Sequence, residues 1–191
     1  EIPQKKGDPL IIDTDEEPFR VDFNKISLLK PVFDKNGTIT AANASTINDG
    51  AAAVLVSSEE FALKNGLPIK SQIIAQASSA QKPEMFTTAP IMAIKKALKK
   101  AELSIDEIDL FEINEAFSVV VMAAIKELKL DSEKVNIFGG AVSLGHPIGA
   151  SGARIVCTLL NAMEYRKARY GLAAICIGGG EASAVIFERV D

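Results

Sequence analysis

From Lys70 to the end of the chain, short apolar runs alternate with stretches of helical spacing, and few folds accept that rhythm. Residues 73–77 are a strand candidate, and behind Pro90 the residues Ile91, Ile94, Leu98 and Ala101 recur at the spacing of one helix face. Residues 108–113 read as a second strand, and 116–128 as a helix apolar on most sides and therefore buried. Residues 135–138 read as a strand running into a glycine-rich loop, with a helix from Ser151 to about Lys167 behind it. Two closing strands, 172–177 and 182–188, flank Gly178-Gly179-Gly180. Strands alternating with helices predict an α/β fold, a mixed and mostly parallel central sheet covered by helices.

The upstream third reads differently. Pro3, Gly7, Pro9, Pro18 and Pro31 punctuate an irregular stretch up to about residue 48, with an acidic cluster at Asp13, Asp15, Glu16 and Glu17. Pro31-Val32-Phe33 and Asn36-Gly37 suggest short extended pieces with a turn. The run AAAVLVS at 51–57 is apolar throughout and predicts a fully buried strand. Ser58-Glu59-Glu60 then caps a short helix that ends near Asn65-Gly66.

Bulk properties narrow the function classes. A chain of 191 residues can bury one core, or one domain plus part of another. Its formal charge of -4 disfavours nucleic acid or an anionic membrane as main partner, and Lys95, Lys96, Lys99 and Lys100 fit the solvated side of a helix. Two distant cysteines give neither a disulfide framework nor zinc-ligand spacing, which points to a reducing compartment. No window approaches a membrane span, since the apolar run 119–125 soon meets Lys126 and Glu127. The chain begins at Glu1 with no methionine or signal-like segment, as a truncated or processed chain would.

Chemistry-bearing residues gather in three loops that follow strands. These are Asn114-Glu115-Ala116-Phe117, the segment 139–154 with His146, the sole histidine, and Cys176-Ile177-Gly178-Gly179-Gly180. In open α/β sheets, sites lie outside the carboxyl ends of strands, so the three loops could converge. An imidazole in a glycine-rich loop can approach a substrate and titrate near neutral pH. Each loop also has a plain explanation. Asn114 would serve as a helix N-cap, Cys176 as a small hydrophobe, the glycines as a hairpin, and the His146 loop as a tight strand-to-helix connection. Gly149 to Ala153 is not a nucleophile elbow, no nucleotide-binding glycine motif is present, and Cys157 reads as core.

Taken together, NEAF at 114–117, GGAVSLGHPIGASGAR at 139–154 and CIGGG at 176–180 resemble the C-terminal half of thiolases of the acetyl-CoA acetyltransferase kind. ANASTINDGAAA at 42–53 resembles the segment that follows that family's loop domain. The resemblance implies a remnant of the loop domain at 1–48. It implies the last strand and helix of the N-terminal half-domain at 49–69, and the C-terminal thiolase domain at 70–191.

It further implies ping-pong acetyl transfer through a cysteine thioester, either thiolysis of a 3-ketoacyl-CoA or the reverse Claisen condensation. His146 would activate the nucleophile and help bind the thioester oxygen, and Asn114 would hold a water that completes an oxyanion hole. Cys176 would be the acid/base, provided its surroundings lower its pKa from about 8.5. The Gly178 N–H would serve a second oxyanion hole. Ser45, Phe86, Phe117 and Ala116 match positions along the acyl and pantetheine pocket. Coenzyme A is then a substrate, with no cofactor and no metal.

Two departures stand out. The family's nucleophilic cysteine lies in the N-terminal half, outside these residues, so this chain alone is expected to be inactive. Glu181 follows the glycines where a small or apolar residue would be more comfortable. The unpaired 51–57 run would leave 1–69 poorly ordered or held by another chain. Two other readings stay open: a non-catalytic CoA-binding or dimerising module, or one subunit of a split two-chain thiolase. The family implies a homodimer or homotetramer for the full-length protein; the cytoplasm is the expected compartment, with the mitochondrion left open.

Overall fold

The computed structural model describes residues 1–15, 17–19 and 21–190; Glu16 of the acidic cluster and the terminal Asp191 lie outside the described residues. Four strands form one sheet: β1 (Ser71–Ala80), β2 (Leu110–Ile113), β3 (Tyr170–Ile177) and β4 (Glu181–Arg189). Their spatial order is β1-β4-β3-β2. The helices are α1 (Glu59–Lys64), α2 (Ala89–Ala101), α3 (Ser118–Leu128), α4 (Ala141–Leu144) and α5 (Ser151–Arg166). The α/β class and the mixed sheet are those expected from the sequence.

The share of parallel pairing is smaller than expected. Only β2–β3 is parallel, whereas β1–β4 and β3–β4 are antiparallel. The cause is the glycine turn, which returns the chain at once so that β4 inserts, reversed, between β1 and β3. Residues 135–138 add no strand either. Val135 makes a single parallel bridge to Phe111, and Asn136 then adopts φ 48° and turns the backbone away. Its side chain takes over the ladder: Ile113 N–H donates to Asn136 Oδ1 at 2.8 Å, and Nδ2 donates to the Ile113 carbonyl at 2.9 Å.

The core lies on both faces. Helices α2 and α3 cover one, where Ile94, Ile108, Ile113, Val120, Leu172 and Ile186 are fully buried. Helix α5 covers the other, packing Ile155, Leu159 and Met163 against Leu110, Ala173 and Phe187. Each such side chain stabilises the fold by about 1.5–3 kcal/mol over its exposed state. Pro90 in the first turn of α2 and the left-handed Glu102 behind it bound that helix. Ser58 caps α1 as expected, accepting from Phe61 N–H at 3.2 Å.

Strands β1, β2 and β3 all run one way, so their carboxyl ends share one edge of the sheet. Asn114 and Gly178 follow the ends of β2 and β3 there. Gly180 closes the turn at φ 96°, where a Cβ would collide with the Gln81 backbone carbonyl.

The segment 51–57 is not a buried strand. It pairs with no strand, and Val54, Leu55 and Val56 are 41%, 79% and 69% exposed. A strand of this type is buried only between sheet neighbours, and the described residues supply none. Cys157, expected in the core, is half-buried on α5, and its thiol donates to the Ala53 carbonyl at 3.6 Å. No helix among the described residues is long and apolar enough to cross a membrane.

Candidate active site

The short helix α4 and the residue behind it place the imidazole. Glu115 caps α4, its carboxylate accepting from Val142 N–H at 3.0 Å. Gly145 follows at φ 91°, where any side chain would collide with the Asn48 amide. The next residue, His146, donates its backbone N–H to both the Thr46 carbonyl and Asn48 Oδ1, each at 3.0 Å. The segment 43–48 also docks on the Asn114 loop. Ser118 N–H donates to Asn43 O at 2.9 Å, and Ser45 N–H and Oγ both reach the Ala116 carbonyl, at 3.0 and 2.9 Å.

The partners of the two ring nitrogens favour one state of the His146 ring. Ser151 is fully buried and donates its one hydroxyl proton to the Pro147 carbonyl at 3.0 Å. With its proton on that carbonyl, the hydroxyl accepts from His146 Nδ1–H, 2.6 Å away. Nε2 is left with its lone pair, facing Asn114 Nδ2 at 3.5 Å. Burial pushes the His146 pKa down, and the Arg154 charge pushes it further in the same direction. The ring is thus neutral at pH 7, with Nε2 free to take a proton.

Asn114 is 1% exposed and is not a helix cap, since α3 begins at Ser118 with Phe117 in the cap position. Its backbone N–H extends the β2–β3 ladder to Ala174 O at 2.8 Å. Its amide oxygen accepts from Arg154 Nη2 at 3.4 Å, and Arg154 Nη1 meets Glu112 Oε1 at 3.1 Å. Burial raises the Glu112 pKa to about 7, and this outweighs the pull of Arg154 in the opposite direction.

Cys176 sits near the end of β3 opposite Ala182 and packs against the α2/α3 core. Burial pushes its thiol up, so the lowered pKa expected of a resting base is not found. Its apolar surroundings cause this and outweigh a backbone hydrogen bond that pulls the other way. Cys176 therefore rests as a proton donor. Among the described residues no hydrogen bond joins it to His146 or Asn114. Gly178 is exposed, and a Cβ there would meet nothing within 4 Å, so its backbone is open to a ligand. The Glu181 carboxylate folds back against Gly179. The triple glycine is thus both a hairpin and an accessible loop.

Phe117 is gripped edge-to-face by Phe86 at 6.0 Å and by Phe33 at 5.9 Å between ring centroids. Beside them, Ala116 offers its carbonyl to Ser45. An open groove of about 460 Å³ lies between residues 48–52 and the His146 loop, lined by Asn48, Gly50, Pro147 and Ile148 among others. None of His146, Asn114 and Cys176 lines it. Among the described residues no group of three or more His, Cys, Asp or Glu could hold a metal ion.

Sequence reasoning missed Thr46, Asn48, Ser151, Glu112, Arg154 and Phe33. A charge inside the apolar run LFEI, and an arginine closing the glycine-rich segment, were the available signals for Glu112 and Arg154.

Known proteins match this chain along its whole length. The family model described as "Thiolase, C-terminal domain" matches residues 67–189, and "Thiolase, N-terminal domain" matches residues 1–60. An acetyl-CoA acetyltransferase of Schizosaccharomyces pombe is 48% identical over 191 residues, all of this chain and 48% of that protein. A mitochondrial acetyl-CoA acetyltransferase of Rattus norvegicus is 53% identical over 187 residues, 97% of this chain and 44% of that protein. The crystal structure of the Bacillus anthracis acetyl-CoA acetyltransferase superposes with a TM-score of 0.91 at 39% identity, covering 98% of this chain and 48% of that one. A thiolase from Ascaris suum, solved in complex with coenzyme A, superposes at 0.85 with 46% identity, covering 94% and 47%. The chain spans about half the length of these relatives. On sequence and fold alike, the chain belongs to the thiolase family.

Proposed function

We propose that this chain supplies the histidine, amide, thiol and glycine-turn part of a site that transfers an acetyl group to and from coenzyme A. The observation that carries the reading is the His146–Asn114 pair: a neutral imidazole with a free Nε2, set beside a buried amide donor at 3.5 Å. His146 Nε2 takes the proton of a nucleophilic cysteine thiol that lies outside these residues. That sulfur attacks the keto carbon of a 3-ketoacyl-CoA, and the carbon–carbon bond breaks to leave an acyl thioester and the enolate of acetyl-CoA. Asn114, through a water, and His146 stabilise the enolate oxygen, and Cys176, a thiol at rest, protonates the enolate carbon. The Cys176 thiolate then deprotonates incoming CoA, whose sulfur takes the acyl group while the Gly178 N–H faces the oxyanion, and the released nucleophilic thiolate recovers its proton from His146. The reverse sequence is the Claisen condensation of two acetyl-CoA molecules.

Ser45, Ala116, Phe117 and Phe86 line the acyl and pantetheine path in this reading, with Phe33 added beside Phe117. Acyl-CoA and CoA are the partners, no cofactor is used, and a homodimer or homotetramer is the assembly. The exposed Val54–Val56 run favours a completing polypeptide beside it. Two free cysteines suit a reducing compartment, the cytoplasm or the mitochondrion.

The test is to locate the acetyl group. The chain is completed with the half of the rat relative that it does not match, exposed to acetyl-CoA, quenched in acid and mapped by mass spectrometry. The acetyl mass is expected on a cysteine outside these residues. Acetyl on Cys157 or Cys176 as the first-formed thioester would overturn the assignment of roles.

A further inference from the structure

Helix α5 holds both ends of the imidazole. Ser151 and Arg154, three residues apart and so on one helix face, project toward the site. Ser151 takes Nδ1–H directly, while Arg154 reaches the other side of the ring through Asn114. Arg154 is itself held on the strand side. Glu112 and Asn114 stand two residues apart, hence on one face at the end of β2, and the guanidinium spans them, Nη1 to Glu112 Oε1 and Nη2 to Asn114 Oδ1. Nη1 also reaches Thr158 Oγ1 at 3.4 Å. A lysine has no rigid fork and could not give each group its own nitrogen.

An amide side chain can turn end for end, and the partners at its oxygen and its nitrogen together decide which end faces the ring. With the amide reversed, Oδ1 would face Nε2 and favour a proton there. Ser151 would meanwhile still demand a proton on Nδ1. A neutral ring has one proton to place, so Nε2 would compete with Nδ1 for it.

We propose that Arg154 is a positioning residue: held by Glu112, it donates to the Asn114 amide oxygen, so that Asn114 Nδ2 faces His146 and the ring is kept as the Nδ1–H tautomer with Nε2 free. The use made of that lone pair rests on the functional reading above. The geometry does not.

His146 is the sole histidine, so ring-nitrogen NMR of the uniformly 15N-labelled chain reads one imidazole without assignment ambiguity. At a pH where the ring is neutral, wild type is expected to show a pyridine-like Nε2 and a pyrrole-like Nδ1. In Arg154→Lys the tautomer ratio falls by about fivefold, the value of one net hydrogen bond, and the two nitrogen shifts draw together. Glu112→Leu/Arg154→Met replaces the ion pair with apolar groups, which buried sites often tolerate, and gives the same change should Arg154→Lys not fold. A purely structural role predicts instead that Arg154→Lys, which keeps a cation beside Glu112, retains the wild-type ring signals. An Nε2–H tautomer in wild type, or wild-type ring signals in either folded variant, would overturn the proposal. Expected ring signals with no acetyl transfer by the completed protein would sink the functional reading and leave this one standing.

Discussion

Replacing His146 with Ala in the completed protein is expected to lower kcat for acetoacetyl-CoA thiolysis by about a thousandfold, with KM changing far less. The free Nε2 carries this. A positioned general base is worth about 10²–10⁴ in rate, and here it also lends its N–H to the oxyanion once protonated. Asn114→Ala removes one donor from the same hole and loses about 10²–10³. KM holds because the groups proposed to grip the acyl and pantetheine chain, Phe117 between Phe86 and Phe33, lie on other loops. Steady-state kinetics of the completed protein check this. A His146→Ala protein within tenfold of wild type would mean that the imidazole does no chemistry.

The second large effect concerns stability. Arg154→Ala is expected to cost about 3–5 kcal/mol near pH 8, because it strands the Glu112 carboxylate, 3% exposed, without its partner. Unfolding by urea measures it, and the cost shrinks toward pH 5 as Glu112 takes up a proton. Wild type carries a pH signature of the same group. The Glu112 pKa is raised from 4.5 to about 7, so its stabilising contribution is full below 4.5 and is lost as pH rises through 7. His146 has the opposite sign: its pKa is depressed, so its contribution is present above the unfolded value and lost as pH falls. The two slopes oppose each other in wild type. Glu112→Gln removes one, so wild type should lose about 2–3 kcal/mol relative to this variant between pH 5 and 8. Parallel pH profiles for the two proteins would show that Glu112 does not titrate in the fold.

What was legible in the sequence was local. Ile91, Ile94, Leu98 and Ala101 announced α2 by spacing, Ser58 announced the start of α1, and the glycine-embedded histidine marked its own loop. What was not legible depends on neighbours. The run 51–57 has the composition of a buried strand, but composition cannot say whether adjacent strands exist. Residues 135–138 failed as a strand because one left-handed residue, Asn136, turned the backbone and offered its side chain in place of a ladder. The Cys176 thiol is raised, not lowered, because its surroundings come from α2, α3 and β4, distant in sequence. The Glu112–Arg154–Asn114 link needs β2 set against α5, which no spacing within either segment reveals.

We propose that these residues hold the base and oxyanion side of a thiolase site whose nucleophile comes from elsewhere. Thiolysis of acetoacetyl-CoA by the 191-residue chain, measured beside the completed protein at equal concentration, tests it most directly. No turnover above the uncatalysed rate is expected of the chain alone, and steady turnover is expected of the completed protein. Turnover by the chain alone, or its absence from a folded, CoA-binding completed protein, would contradict it.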